Sequence, residues 1–159
     1  MQALYVQLEK KYGGFVPNVL KTIANHEEIF MVFIPLLDIA FGPGGVDNAT
    51  KVLAGLTTSR VNGCKYSIAY HTISANRAGL SKEKIAYTLS GKSWALDDRG
   101  KAVVRYSEEL LLRNKVTQES LDELSKYYDE YQIIELTMVN GVANILTKYA
   151  TTFNVELDF

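Results

Sequence analysis

The sequence predicts an all-α fold, and three observations carry that prediction. Apolar residues recur at helical spacing along most of the chain, no segment has the alternation of a strand, and glycine-centred breaks divide the chain into helix-length pieces. Residues 3–12 read as a short amphipathic helix with Leu4, Leu8 and Tyr12 on one side, stopped by Gly13-Gly14. Phe15-Val16-Pro17-Asn18 is an extended entry, because the residue before proline avoids the α region. Helix resumes over 19–25, and another, mostly apolar, spans 27–41. Gly42-Pro43-Gly44-Gly45 is a loop.

Asp47 or Asn48 fits the N-cap of the next helix, where Val52, Leu53, Leu56 and Arg60 share a face. Asn62-Gly63 breaks the chain again and places Cys64 in the first turn of a helix running to about Ala78. Gly79 fits the position after its end, and Ser81 caps a short helix. Asp97-Asp98 opens a helix with the negative charge its dipole favours. Thr117 starts another. The last helix, about 133–153, is long and apolar on several sides. The expected architecture is one all-α domain over residues 1–159, a bundle of seven or eight helices.

Composition bounds the function. The chain has 159 residues, 47% apolar and 22% charged, with a formal net charge of −1. No basic stripe points to nucleic acid. The apolar run from Ile29 to Phe41 is too short to span a bilayer and contains Pro35 and Asp38. No basic-then-apolar leader is visible, so no membrane contact and a cytoplasmic location are expected. One cysteine forms no intrachain disulfide, and one cysteine with two histidines rarely makes a zinc site. No metal and no cofactor is expected, since no nucleotide-binding glycine motif is present. Asp97-Asp98, Glu108-Glu109 and Asp129-Glu130 point in different directions on a helix and read as solvated faces and caps.

Chemistry concentrates in Asn62-Gly63-Cys64-Lys65-Tyr66-Ser67-Ile68-Ala69-Tyr70-His71. On a helix Cys64, Ser67 and His71 fall at i, i+3 and i+7, one stripe of thiol, hydroxyl and imidazole. Free N–H groups at a helix start favour a thiolate, which makes Cys64 a candidate nucleophile. Cys64 and His71 are separated by about 10 Å of axial rise. Ser67 and His71, four apart, are neighbours. Ser67 as a hydrolase nucleophile would lack an elbow motif and an oxyanion hole. His71 also fits a neutral imidazole satisfied in the core. His26 reads as a solvated surface residue.

This stretch resembles the Cys-x-x-Cys-x-x-x-His signature of the AhpD-like, or carboxymuconolactone decarboxylase, superfamily. Gly14-Phe15-Val16-Pro17-Asn18, Ala78-Gly79-Leu80-Ser81-Lys82-Glu83-Lys84-Ile85 and Ile134-Glu135-Leu136-Thr137 are similar to further family segments, in the family's order. The resemblance implies all-helical subunits that associate as trimers or hexamers. It also implies a thiol-disulfide hydroperoxidase whose second cysteine attacks peroxide and whose first closes the disulfide. There the histidine and an upstream glutamate relay protons. By position Cys64 matches the first cysteine and His71 the histidine. Ser67 stands at the second cysteine and Val52 at the glutamate, and serine forms neither a sulfenic acid nor a disulfide.

Three functions stay open. One is a degenerate alkylhydroperoxidase-type redox enzyme in which Cys64 acts alone with an external thiol reductant. The second is a lyase acting on a small-molecule substrate with His71 as base. The third is a non-catalytic, homo-oligomeric binding protein that keeps the fold.

Overall fold

The computed structural model describes residues 2–113 and 115–159. Among the described residues there are nine α-helices and no strand: α1 Gln2–Lys11, α2 Asn18–Ala24, α3 Glu27–Phe41, α4 Asn48–Val61, α5 Lys65–Arg77, α6 Lys82–Ser90, α7 Asp98–Arg113, α8 Gln118–Ser125 and α9 Glu130–Thr152. A short 3₁₀ turn, Ser93–Ala95, leads into α7. The nine correspond to the nine segments read from the sequence, including the short α2 and α8, and exceed by one or two the bundle of seven or eight that was expected.

The helix starts follow local chemistry. The side chains of Asp47, Ser81 and Thr117 accept hydrogen bonds from the main-chain N–H three residues on, at α4, α6 and α8. His26, read as a plain surface residue, caps α3 by accepting from Ile29 N–H. Helix α9 begins three residues before the expected Ile133. Its start is a capping box, in which Asp129 accepts from Gln132 N–H while the Gln132 side chain accepts from Asp129 N–H.

Helix α4 is the axis of the molecule, packed against α5, α6, α7 and α9. Every residue from Thr50 to Ser59 is buried, not one face of them. Polar side chains survive there because they turn back on their own helix. The hydroxyls of Thr57, Thr58 and Ser59 donate to the carbonyls of Leu53 (2.8 Å), Ala54 (3.0 Å) and Gly55 (2.8 Å). Lys51 is buried too and pairs with Glu135 of α9.

Helices α3 and α9 pack together but leave apolar side chains outside. Val32 and Ile39 of α3 and Ile134 of α9 are each more than 60% exposed. No helix among the described residues is long and apolar enough to cross a membrane.

Candidate functional site

Helix α5 starts directly after the tight Asn62-Gly63 turn, in which Gly63 takes a left-handed φ of 63°. Cys64 is the N-cap rather than a first-turn residue. Its backbone is extended (φ −84°, ψ 108°), and its side chain makes no capping bond. Cys64 is 6% exposed, and it is absent from the wall of the cavity that Ser67 and His71 line.

That cavity has a volume of about 280 Å³. Helices α3, α4 and α5 form one side, and the end of α1 with the Pro17 entry to α2 forms the other. Three tyrosines face it: Tyr12, Tyr66 and Tyr70. Burial raises the pKa of both Tyr12 and Tyr66 above the ordinary phenol value, so these hydroxyls stay protonated. Val52, at the position of the family's glutamate, presents only carbon to the wall. Arg77 sits at the rim, exposed, with no carboxylate partner among the described residues.

His71 lies on the cavity wall. Its Nδ1 lies 2.9 Å from Ser59 Oγ and 3.1 Å from the Ser67 carbonyl oxygen. The Ser67 carbonyl only accepts, and the Ser59 hydroxyl already donates its proton to Gly55. Nδ1 therefore carries the proton and Nε2 carries the lone pair. Nε2 is buried and has no hydrogen-bond partner among the described residues. The imidazole thus meets Ser67 through its carbonyl and not, as spacing suggested, through its hydroxyl. The ring packs edge-on against Tyr70, with centroids 5.3 Å apart, and faces Phe41 at 5.8 Å.

Burial lowers the His71 pKa from 6.5 to about 4, opposed by the hydrogen bond to the Ser67 carbonyl. At neutral pH the ring is uncharged. A base of this pKa is poorly matched to removing protons at pH 7. A neutral ring with a bare Nε2 remains a good acceptor for an O–H or N–H.

The shift sets a pH dependence. Folding holds His71 neutral, so its contribution is complete above the unfolded value of 6.5 and is lost as pH falls toward 4. One proton of linkage gives a slope of about 1.4 kcal/mol per pH unit in that window. Urea midpoints between pH 7 and pH 5 are expected to fall in the native chain, and the fall is expected to be smaller by this slope in His71→Gln. Equal slopes in the two proteins would refute a buried neutral His71.

Several residues of this site were not singled out from sequence. Ser59 and Gly55, which hold and make room for the imidazole, sit on α4 as an i, i+4 pair. An isolated glycine inside an otherwise helical run was the available signal. Tyr66 and Tyr70 are likewise four apart and flank Ser67. Tyr12 reaches the site from the turn after α1, more than fifty residues from Tyr66 in sequence, which no local pattern reveals.

The model of the carboxymuconolactone decarboxylase family matches residues 27–109. The chain is 28% identical over 105 residues, 62% of its length, to the uncharacterized protein YdfG of Bacillus subtilis (strain 168), of which it covers 69%. Among solved structures it resembles a peroxidase-related protein from Silicibacter sp. TM1040 (TM-score 0.86, 18% identity), covering 99% of this chain and 84% of that one. An AhpD-core, peroxidase-related protein from Ralstonia eutropha JMP134 has a TM-score of 0.87 at 16% identity, covering 98% and 84%. The debrominase Bmp8 in complex with 2,3,4-tribromopyrrole has a TM-score of 0.82 at 17% identity, covering 95% and 81%. At these identities the structural likeness carries the fold alone.

Proposed function

This chain belongs to the carboxymuconolactone decarboxylase family, and from that premise we propose that it is a degenerate AhpD-type protein, without the peroxidase cycle, that binds a small ring molecule bearing an O–H or N–H group. The observation that carries this reading is a neutral His71 on the wall of a tyrosine-lined cavity, with a buried Nε2 that has no hydrogen-bond partner among the described residues. Nε2 is closed to solvent and lies against Gly55, so a ligand O–H or N–H reaches it once wall side chains move aside, and the bond then removes the cost of leaving that atom unpaired. Apolar walls and a few placed polar groups are what small-molecule sites offer.

The redox alternatives fit less well. The peroxidase cycle needs two thiols one helical turn apart, and the chain has Ser67 at one of those places. Cys64 acting alone with an external thiol would have to react from a buried position outside the cavity wall. A lyase using His71 as base would rely on a ring whose pKa burial has lowered to about 4.

Two measurements test the proposal together. With a hydroperoxide and a dithiol reductant, the native chain is expected to show no turnover. Ser67→Cys is expected to form a disulfide with Cys64 on peroxide addition. In a second arm, phenol and its methyl ether anisole are titrated while the His71 ring nitrogens are followed by NMR. Phenol is expected to bind about tenfold more tightly than anisole, as one hydrogen bond to an otherwise unsatisfied group predicts. Peroxidase turnover by the native chain, or equal affinity for the two ligands, would overturn the reading.

A further inference from the structure

The segment after α9 crosses the molecule to two residues of the cavity wall, Tyr66 and Tyr70. Asn154 takes a left-handed φ of 48°, and Val155 N–H donates back to Ala150 O (2.9 Å), which turns the chain off the helix end. From there it runs to α2 and α5. The Glu156 carbonyl accepts from the Asn18 side-chain amide at 3.3 Å. Asp158 accepts from the Asn18 main-chain N–H with one oxygen and from the Tyr66 hydroxyl with the other, the latter at 3.0 Å. The Phe159 ring lies edge-on to Tyr66, with centroids 5.2 Å apart, and to Tyr70, at 5.8 Å. Tyr66 and Tyr70 are both wall residues of the cavity.

We propose that residues 156–159 form a strap across Tyr66 and Tyr70 that holds these two wall residues in place and so sets the size of molecule that reaches Ser67 and His71. The proposal rests on the reading of the cavity as a ligand site. Its anchor and its clasp differ in strength. Val155 packs against the core, whereas Leu157 is 57% and Phe159 41% exposed. A few surface contacts of this kind open at a small fraction of the cost of global unfolding. The clasp engages the site's own residues. Asp158 holds the Tyr66 hydroxyl, and Phe159 covers the two tyrosine rings, so a ligand that engages those groups competes with the strap. Opening needs no movement of α4 or α5, which hold His71.

Access is measured with a thiol placed in the wall. Ser67→Cys in a Cys64→Ala background leaves one thiol, facing the cavity. Its alkylation is timed with iodoacetamide and with the bulkier fluorescein maleimide, with and without Asp158→Ala and Phe159→Ala together. The strap substitutions are expected to raise the maleimide rate about tenfold, and the iodoacetamide rate less, as removal of a local closing equilibrium predicts. Ser74→Cys, on the same wall, replaces Ser67→Cys if the latter does not fold. Cys64, buried outside the cavity, is the control: in the otherwise native chain the same strap substitutions are expected to leave its labelling unchanged. No change at the cavity thiol, or a parallel rise at Cys64, would overturn the strap. Labelling reads access alone. A strap-dependent rate without phenol binding would count against the ligand reading and not against the strap.

Discussion

Glu135→Ala is expected to cost about 3–5 kcal/mol of folding stability, the range for removing one partner of a buried ion pair. Lys51 is 1% exposed, and its ammonium pairs with Glu135 and donates to the Gly42 carbonyl at 2.6 Å. The second Glu135 oxygen accepts from Val46 N–H at 3.0 Å. Glu135 thus ties α9 to α4 and to both ends of the Gly42–Val46 loop. Without it the ammonium keeps a single carbonyl in the interior, and a buried cation with one partner is costly. The reverse change is expected to be milder. Lys51→Met fills the space with an apolar chain and leaves Glu135, which is partly exposed, with its bond to Val46. Urea unfolding of both variants at pH 7 provides the check. Lys51→Met is expected to lose less than half of what Glu135→Ala loses. Equal losses, or a loss below about 1 kcal/mol for Glu135→Ala, would show that water reaches the pair and screens it.

Much of the fold was legible because helix starts and stops are local chemistry. Helix α3 runs from Glu27 to Phe41 as its apolar pattern and the following glycines predict. Asp47, Ser81 and Thr117 cap where short polar side chains precede apolar runs. The start of α9 was less legible, because Glu130-Tyr131-Gln132 carries no apolar period. The spacing of Asp129 and Gln132 was the signal there.

The central position of α4 was hidden for a different reason. Thr57, Thr58 and Ser59 look like a solvated face, yet their hydroxyls meet carbonyls of their own helix, with Thr58 also meeting Asn140 of α9 and Ser59 also meeting His71, and all three enter the core. The site divided in the same way. Helical spacing puts Ser67 and His71 on one face, and both line the cavity. Spacing put Cys64 there too, in the first turn, but it stands one position earlier as the N-cap and is absent from the cavity wall. The family-like segment at 134–137 drew attention to Glu135, but not to Lys51, because their pairing spans two helices far apart in sequence.

Gly55→Ala is expected to destabilise the protein by about 1–3 kcal/mol, the range for overpacking a filled core. Helix propensity alone predicts the opposite sign, since alanine in place of glycine inside a helix gains roughly 0.5–1 kcal/mol. The space decides. A Cβ on Gly55 would lie 2.5 Å from His71 Nε2 and 2.6 Å from its Cδ2. The ring has little freedom to yield, because Ser59 and the Ser67 carbonyl hold Nδ1 while the Phe41 and Tyr70 rings pack against it. The added methyl therefore displaces the imidazole and takes the phenol-over-anisole preference with it. The two positions are coupled, so His71→Ala in the same molecule is expected to remove most of the penalty. Unfolding free energies of the two single variants and the double variant close the cycle. If Gly55→Ala proves as stable as the native chain and keeps the phenol preference, then His71 is not held against Gly55 as the structure places it.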